Sequence, residues 1–307
     1  MYTENRWRDA VLFTKACASN FIALSVPSVY VRLTRQTGRG AEIEDADSIA
    51  LYFERCVEDY RTQLGLSPIA FEQFLTGKRV LEYGPGDVLG VALLLYGAGA
   101  ATVECVDRFQ LRQLSPKNAA VYRRLLERMP GHRRARAATA FMEPGNPESG
   151  FRSGAVEYRV TADGLAGRPR SFQLIVSRAV LEHVARLQAT LTDVRLCLAP
   201  GGVSLHSVDL RSHNLDRYRP YDFLTWPDWA YQLMYSHKGF PNRLRPDAYR
   251  KAVAAAGLRA RLMEPTGRVK LDQVKYIRPY LAKPFSRVSD EELSWLGFWM
   301  VIEAGGD

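Results

Sequence analysis

A chain of 307 residues, 47% of them apolar, can bury one large core with additions or two modest domains. No run of eighteen or more uncharged apolar residues occurs, and the best stretch, Phe21 to Val31, is short and interrupted by Ser and Pro, so no helical membrane span is expected. The formal net charge of +9 asks for an anionic partner or a solvated basic face, while the scattered Cys17, Cys56, Cys105 and Cys197, with no C-x-x-C pair, exclude a disulfide framework and a zinc knuckle.

The opening MYTENRWRDA lacks the basic-then-apolar order of a signal peptide, and the cysteines read as small buried residues, so a cytoplasmic protein is expected. The first 76 residues read as helical. Ile49 to Leu64 sets Leu51, Phe53, Val57 and Tyr60 broadly on one side, with Phe53, Val57 and Tyr60 at three-to-four spacing. Such a helix needs a surface to cover, and it is expected to pack on the core and roof a ligand there.

The character changes at Thr76-Gly77. Lys78 to Tyr83 reads as a short apolar strand, followed by a glycine turn, a helix over Val88 to Tyr96 stopped by Gly97 and Gly99, and a strand over Ala101 to Val106 ending at Asp107. Strand, helix and strand in thirty residues make a βαβ unit, which crosses over right-handed and forms a parallel sheet. Next, Arg123, Arg124, Arg128, Arg133, Arg134 and Arg136 crowd into fourteen positions with His132 among them. No RNP motif, basic zipper or zinc finger accompanies this charge, so nucleic acid is the lesser expectation.

Phe172 to Ser177 reads as a buried strand, Leu181 to Leu198 as a helix closed by Ala199-Pro200-Gly201-Gly202, and Val203 to Val208 as the next strand. An irregular aromatic stretch over Arg211 to Asn242 follows, then a helix over Pro246 to Ala256 and strands over Leu258 to Met263 and Phe298 to Glu303. No internal repeat is present.

The glycine turn is the sharpest signal. Gly84 and Gly86 allow positive φ and close approach of the backbone to a ligand. A dinucleotide site needs a third glycine at G-x-G-x-x-G spacing, where this chain has Leu89, and a pyrophosphate would meet Glu82 and Asp87 on either side of the turn. A nucleoside carrying positive charge suits such a field. Asp107 ends the second strand, where a carboxylate can accept from both ribose hydroxyls.

LEYGPGDVLG, CVDRF, FQLIVSRAVLEHV and LAPGGVSLHSVDL, in that order, resemble the motif set of the class I, Rossmann-like S-adenosylmethionine-dependent methyltransferases over about 80–210 and on toward the last strand. The resemblance implies an α/β fold with a doubly wound, mostly parallel seven-stranded sheet. It divides the chain into an N-terminal helical extension or cap over 1–76 and a cofactor-binding catalytic domain over 77–307, with an acceptor-side lid at about 211–245. By resemblance, Gly84 and Gly86 lie under the methionine moiety of S-adenosylmethionine, Glu82 binds near its amino group, and Asp107 holds the ribose. Tyr83 and Arg108 flank these positions and count with them. Ala162 or Asp163 would lie by the adenine, and Ser177 and Arg178 by the methionine or methyl end. The family's Asp on the FQLIVS strand is replaced here by Gln173.

Transfer to a hydroxyl needs alignment and removal of a proton, and the candidate bases are His183, His206, Asp209 and His213. Glu182-His183 at the head of a helix equally reads as a cap, and His206 equally as buried core; Asp209 and His213, just past a strand end, are favoured. The spacing from His206 through Asp209 to His213 allows a divalent ion, yet no metal is expected. Tyr221, Trp226, Trp229 and Tyr235 are expected to build a lid, since long loops in compact domains are functional or disordered, and Arg243 and Arg245 to meet an anionic part of the acceptor. The expected activity is methylation of a small molecule, on a hydroxyl of a sugar, glycan precursor or secondary metabolite, leaving S-adenosylhomocysteine. The alternatives are an RNA-directed methyltransferase using the arginine run at 123–136 and a non-catalytic scaffold that binds the same nucleoside.

Overall fold

The computed structural model describes residues 5–26, 29, 30, 33 and 44–305. Parts of the expected helical extension, and of the Phe21 to Val31 stretch, lie outside the described residues. Within them the extension holds α1 (Arg6–Ser25), α2 (Ala46–Gln63) and α3 (Pro68–Leu75). Each start has a local cause. Asp45 accepts from the Ser48 amide at 2.8 Å ahead of α2, and Ser67 caps α3 with Pro68 at its first position.

The strands are β1 (Arg79–Tyr83), β2 (Thr102–Asp107), β3 (Val156–Val160), β4 (Phe172–Arg178), β5 (Leu198–Asp209), β6 (Leu258–Arg268) and β7 (Trp295–Ala304). They form one sheet in the order β3-β2-β1-β4-β5-β7-β6. The first five are parallel, and β7 runs antiparallel between β5 and β6. This is the mostly parallel, doubly wound seven-stranded sheet expected from the sequence.

Parallel strands bury both faces, so both need covers. One face, with Val80, Val103, Leu174, Val176 and Leu205, packs against α2, α4 (Gly90–Gly97), α5 (Pro116–Arg128) and α6 (Gly131–Ala138). The other, with Leu81, Ile175, Val208 and Met300, packs against α7 (Leu187–Cys197) and α9 (Pro246–Ala255). Gly90 opens α4 because a Cβ there would stand 2.3 Å from the Phe53 ring. Helix α2 therefore rests directly on α4 and covers the sheet; none of its residues walls the ligand cavity described below, which corrects the expected roof. Helix α1 packs on α8 (Asp228–Tyr235), where Asn20 donates to the Leu233 carbonyl at 3.0 Å. Beyond β6 and β7, α10 (Leu271–Ile277) and α11 (Asp290–Ser294) form a satellite core with Tyr221, Phe223 and Leu224.

Two local readings need correction. The helix expected from Leu181 begins at Leu187, and Ala199-Pro200-Gly201-Gly202 belongs to the long β5. The aromatic stretch over 211–242 is not wholly irregular, since it contains α8 and a 3-10 turn at Asp222–Thr225. The arginine run joins elements: Arg123 pairs with Glu148, Arg128 with Glu54 at 2.7 Å, and Arg133 with Glu72. Arg124 reaches Glu127, Arg134 the Glu127 carbonyl, and Arg136 the carbonyls of Tyr96 and Ala100. Cys56, Cys105 and Cys197 are buried, Cys17 is half-buried, and all four are free thiols. No helix of the described residues is long and apolar enough to cross a membrane.

Candidate active site

At the carboxyl end of β1 the chain turns through Gly84 and Gly86, with φ of +63° and +77°. The Gly84 amide donates to the Val106 carbonyl at 2.8 Å, and a Cβ on Gly84 would stand 2.5 Å from Val180 Cγ2. Only glycine meets both demands. Outside this turn, where open α/β sheets place their ligands, lies a cavity of about 740 Å³.

One end of the cavity is walled by Tyr83, Gly84, Gly86, Asp107, Arg108, Ala162 and Asp163. Asp107 Oδ1 accepts from the amides of Arg108 at 2.7 Å and Phe109 at 3.4 Å, while Oδ2 is buried without a partner. Burial lifts its carboxyl to about 6, against the lowering effect of the Phe109, Arg108 and Gly86 amides. Asp163 accepts from the Leu165 amide, which shapes the loop after β3. Arg108 lies over the Phe109 ring.

Glu82 and Asp87 do not form the expected acidic lip. Both are buried, at 6% and 3% exposure, and neither walls the cavity. Strand alternation turns Glu82 to the face opposite Tyr83, where the Cys105 thiol donates to Oε2 at 3.7 Å and burial pushes its carboxyl up to about 8.

Ser177, Arg178 and His206 also depart from expectation. His206 is fully buried with Nδ1 2.7 Å from Ser177 Oγ and Nε2 2.6 Å from Ser204 Oγ, and burial drives its imidazole down to about 3. A ring with both nitrogens engaged inside the sheet cannot serve as a base for a ligand outside it. Arg178 points the other way, to Asp59 at 2.6 Å and across the rings of Tyr52 and Trp299. Gln173, in place of the family's Asp, accepts the Arg79 amide at the start of β1.

The far end of the cavity is walled by His183, His213, Asn214, Lys238 and Phe240. The two imidazoles meet edge to face with centroids 5.0 Å apart, and His213 Nε2 lies 3.8 Å from Asp209 Oδ2. Burial lowers both rings, His183 to about 4 with His213 adding to the effect. Burial raises Asp209, but Arg211 overrides it and holds the carboxyl below its ordinary range. His213 and Asn214 adopt φ of +50° and +65°, and Ala179 +53°. Non-glycine residues in this region store strain and cluster at functional sites.

Glu182 and His183 sit in a loop over 179–186, outside α7. Asn242 holds that loop, its amide donating to the Glu182 carbonyl at 2.6 Å and its Nδ2 to the carbonyls of Leu181 and Val184. Lys238 donates to the Ala16 carbonyl and Ser19 Oγ, tying α1 to the cavity wall. Tyr221, Trp226, Trp229 and Tyr235 are absent from the wall: Tyr221 packs with Phe223 and Tyr235 with Met234, while Trp229 is 65% exposed. The stretch contributes His213, Asn214 and 238–241 to it. Arg243 and Arg245 are structural as well. Arg243 binds the carbonyls of Phe223 and Trp226 and the Asp228 carboxylate; Arg245, 2% exposed, binds those of Leu210 and Trp295.

Sequence reasoning missed Asp193. Its Oδ2 accepts from Tyr83 Oη at 2.5 Å and the Ala166 amide at 2.6 Å, and its Oδ1 from the Gly167 amide at 2.9 Å. The only signal is an acid amid the apolar side Leu187, Leu191, Val194 of α7.

Residues 58–262 match the model of a family described as "Methyltransferase domain". Among solved structures, the chain is similar to an S-adenosylmethionine-dependent methyltransferase from Mesorhizobium loti, at 18% identity over 76% of this chain and 95% of that one, TM-score 0.42. A geranyl diphosphate methyltransferase in complex with GPP and sinefungin matches at 14% over 77% and 76%, TM-score 0.42. Phosphoethanolamine N-methyltransferase 2 of Haemonchus contortus, in complex with S-adenosyl-L-methionine, matches at 16% over 78% and 52%, TM-score 0.41. No curated protein sequence matches the chain.

Proposed function

The chain belongs to the methyltransferase-domain family, and from that premise we propose that it transfers a methyl group from S-adenosylmethionine, its cofactor, to a hydroxyl of a small molecule such as a sugar, glycan precursor or secondary metabolite. The observation that carries this reading is one cavity with two unlike polar ends: an unpartnered carboxylate oxygen on Asp107 and the imidazole pair His183 and His213.

The Asp107 end fits the cofactor. A buried acceptor without a protein donor calls for hydroxyls from a ligand, and a ribose offers two. Gly84 and Gly86 leave backbone open to the methionine part, Tyr83 and Arg108 flank it, and Ala162 and Asp163 wall the adenine side. Glu82 is turned into the protein, where the Cys105 thiol donates to it. When bound, S-adenosylmethionine supplies a methyl on an already activated leaving group.

The chain's own task is then alignment and proton removal. The acceptor lies against Val180, Val184, Phe240 and Pro241, which exclude water, with its hydroxyl toward His183 and His213. These two imidazoles, with Asp209 beside His213, draw off its proton. Residues 77–307 form the catalytic unit, 1–76 its cap, and 211–245 the acceptor side, reaching the cavity through 213–214 and 238–241. The arginine run gives the RNA reading little support, because its guanidinium groups are engaged within the protein.

Incubating the purified protein with methyl-labelled cofactor and pooled metabolites, and identifying the labelled product by mass spectrometry, tests this reading. Label in an O-methylated small molecule is expected. Label confined to RNA, or cofactor binding with no acceptor labelled, counts against it.

A further inference from the structure

The loop over 179–186 and the loop after β5 bring three potential ligands together. One donor atom from each of Glu182, His183 and His213 lies within 4.8 Å of the others. Glu182 is 1% exposed, and both of its carboxylate oxygens are buried with no hydrogen-bond partner. His183 Nδ1 and His213 Nε2 are likewise buried and unpartnered. The nearest ion-pair approach to Glu182 among the described residues is His183 Nε2, at 4.0 Å.

A carboxylate withdrawn from water with no cation and no well-placed donor is costly, and two imidazoles beside it, each with an unpartnered buried ring nitrogen, compound the deficit. Asp209, 3.8 Å from His213, has both carboxylate oxygens held by the Arg211 guanidinium, so that cation is spent on Asp209 and leaves Glu182 unanswered. One divalent cation would satisfy the carboxylate and both imidazoles at once. Two nitrogens and one carboxylate oxygen suit a borderline transition ion, in contrast to the all-oxygen sets of magnesium and calcium. The positive φ of His213 has the same logic, since a strained residue persists where the surroundings require its position.

We propose that Glu182, His183 and His213 form a binding site for a divalent transition metal of the Zn²⁺ class at the acceptor end of the cavity. Three protein ligands leave a coordination position open, and both histidines wall the cavity, so that position faces the acceptor. There the ion would polarise the acceptor hydroxyl and lower its pKa so that its proton leaves to solvent water, and the imidazoles would then serve as ligands of the ion in place of the base. That role rests on the methyl-transfer reading; the binding site does not.

The test separates the two. Chelator-treated full-length protein is titrated with Zn²⁺ alone by calorimetry and with Co²⁺ alone by visible absorption, and cofactor affinity is measured on the same samples. One ion per chain is expected, with Co²⁺ bands of low-symmetry nitrogen and oxygen ligation. Glu182→Gln and His213→Ala should each weaken Zn²⁺ binding by about a hundredfold, while cofactor affinity stays within about threefold and so reports an intact fold. Absence of stoichiometric Zn²⁺ binding in the unaltered protein overturns the proposal whatever the cofactor result. Undiminished binding in both variants also overturns it. Loss of cofactor binding by the unaltered protein, with Zn²⁺ still bound, would strike the methyl-transfer reading and leave the metal site standing.

Discussion

Tyr83 Oη donates to Asp193 Oδ2 at 2.5 Å across 110 residues, joining the strand that carries the glycine turn to helix α7, packed on the sheet face that Tyr83 itself points to. The same carboxylate takes the amides of Ala166 and Gly167, so it also fixes the loop bearing Ala162 and Asp163. Asp193→Ala strands three donors in the interior. A loss of roughly 2–4 kcal/mol is expected in chemical denaturation, with cofactor affinity falling at least about tenfold. Tyr83→Phe removes one donor and should cost only about 1 kcal/mol. Equal effects from the two changes would show that Asp193 does not hold the loop.

Asp107 makes a prediction in which stability and binding move oppositely. Its folded carboxyl is raised from 3.8 to about 6, so ionisation is penalised in the fold, and the cofactor-free protein loses stability as pH rises from about 4 through 6. Asp107→Asn removes the penalty, and the cofactor-free variant should be more stable than the parent at pH 7, by an amount on the order of 3 kcal/mol. Ribose hydroxyls donate to the ionised form, so affinity in the parent should be flat above about pH 6 and fall below it. Calorimetry from pH 5 to 8 checks this; an Asn variant that binds normally removes Asp107 from the ribose.

The doubly wound sheet and the glycine turn are legible because they are written locally: apolar runs bounded by glycines, and a carboxylate at a strand end. The loop holding Glu182 and His183 is not. Its carbonyls at 181, 182 and 184 are taken by Asn242, some sixty residues on, so a stretch with helical composition cannot close helical hydrogen bonds there. Position along a strand misleads in a similar way. Alternation puts His206 and Leu205 on opposite faces, but both faces of this sheet are covered, so neither was free to meet a ligand. Arg243 and Arg245 looked like anion binders because sequence shows a charge without its carbonyl partners.

Gly84→Ala should injure the site through two separable causes. The residue would sit at φ +63°, costing about 1 kcal/mol, and its methyl would meet Val180 Cγ2 at 2.5 Å, costing roughly 1–3 kcal/mol more. Pairing the change with Val180→Ala relieves the second cause alone. The double variant should regain part of the melting temperature of the single one, and cofactor affinity should recover only partly. Simple additivity of the two substitutions would contradict the contact.

Arg245 offers the last test because it reaches the acceptor end without touching it. Its guanidinium binds the Leu210 carbonyl at 3.0 Å, directly after Asp209, and the Trp295 carbonyl at 2.7 Å, where β7 begins. Burial disfavours its charge, so the side chain is retained at a cost that the carbonyls offset. Arg245→Met leaves those carbonyls unpaired and should destabilise the protein by about 3 kcal/mol. Arg245→Lys should not restore it, since an ammonium cannot span both positions as the planar fork does. The loop carrying His213 starts at Leu210, so turnover should fall by at least about tenfold while cofactor affinity, set at the Asp107 end, stays near that of the parent. A variant with normal turnover, or one that loses cofactor and turnover together, would show that Arg245 does not position the acceptor side.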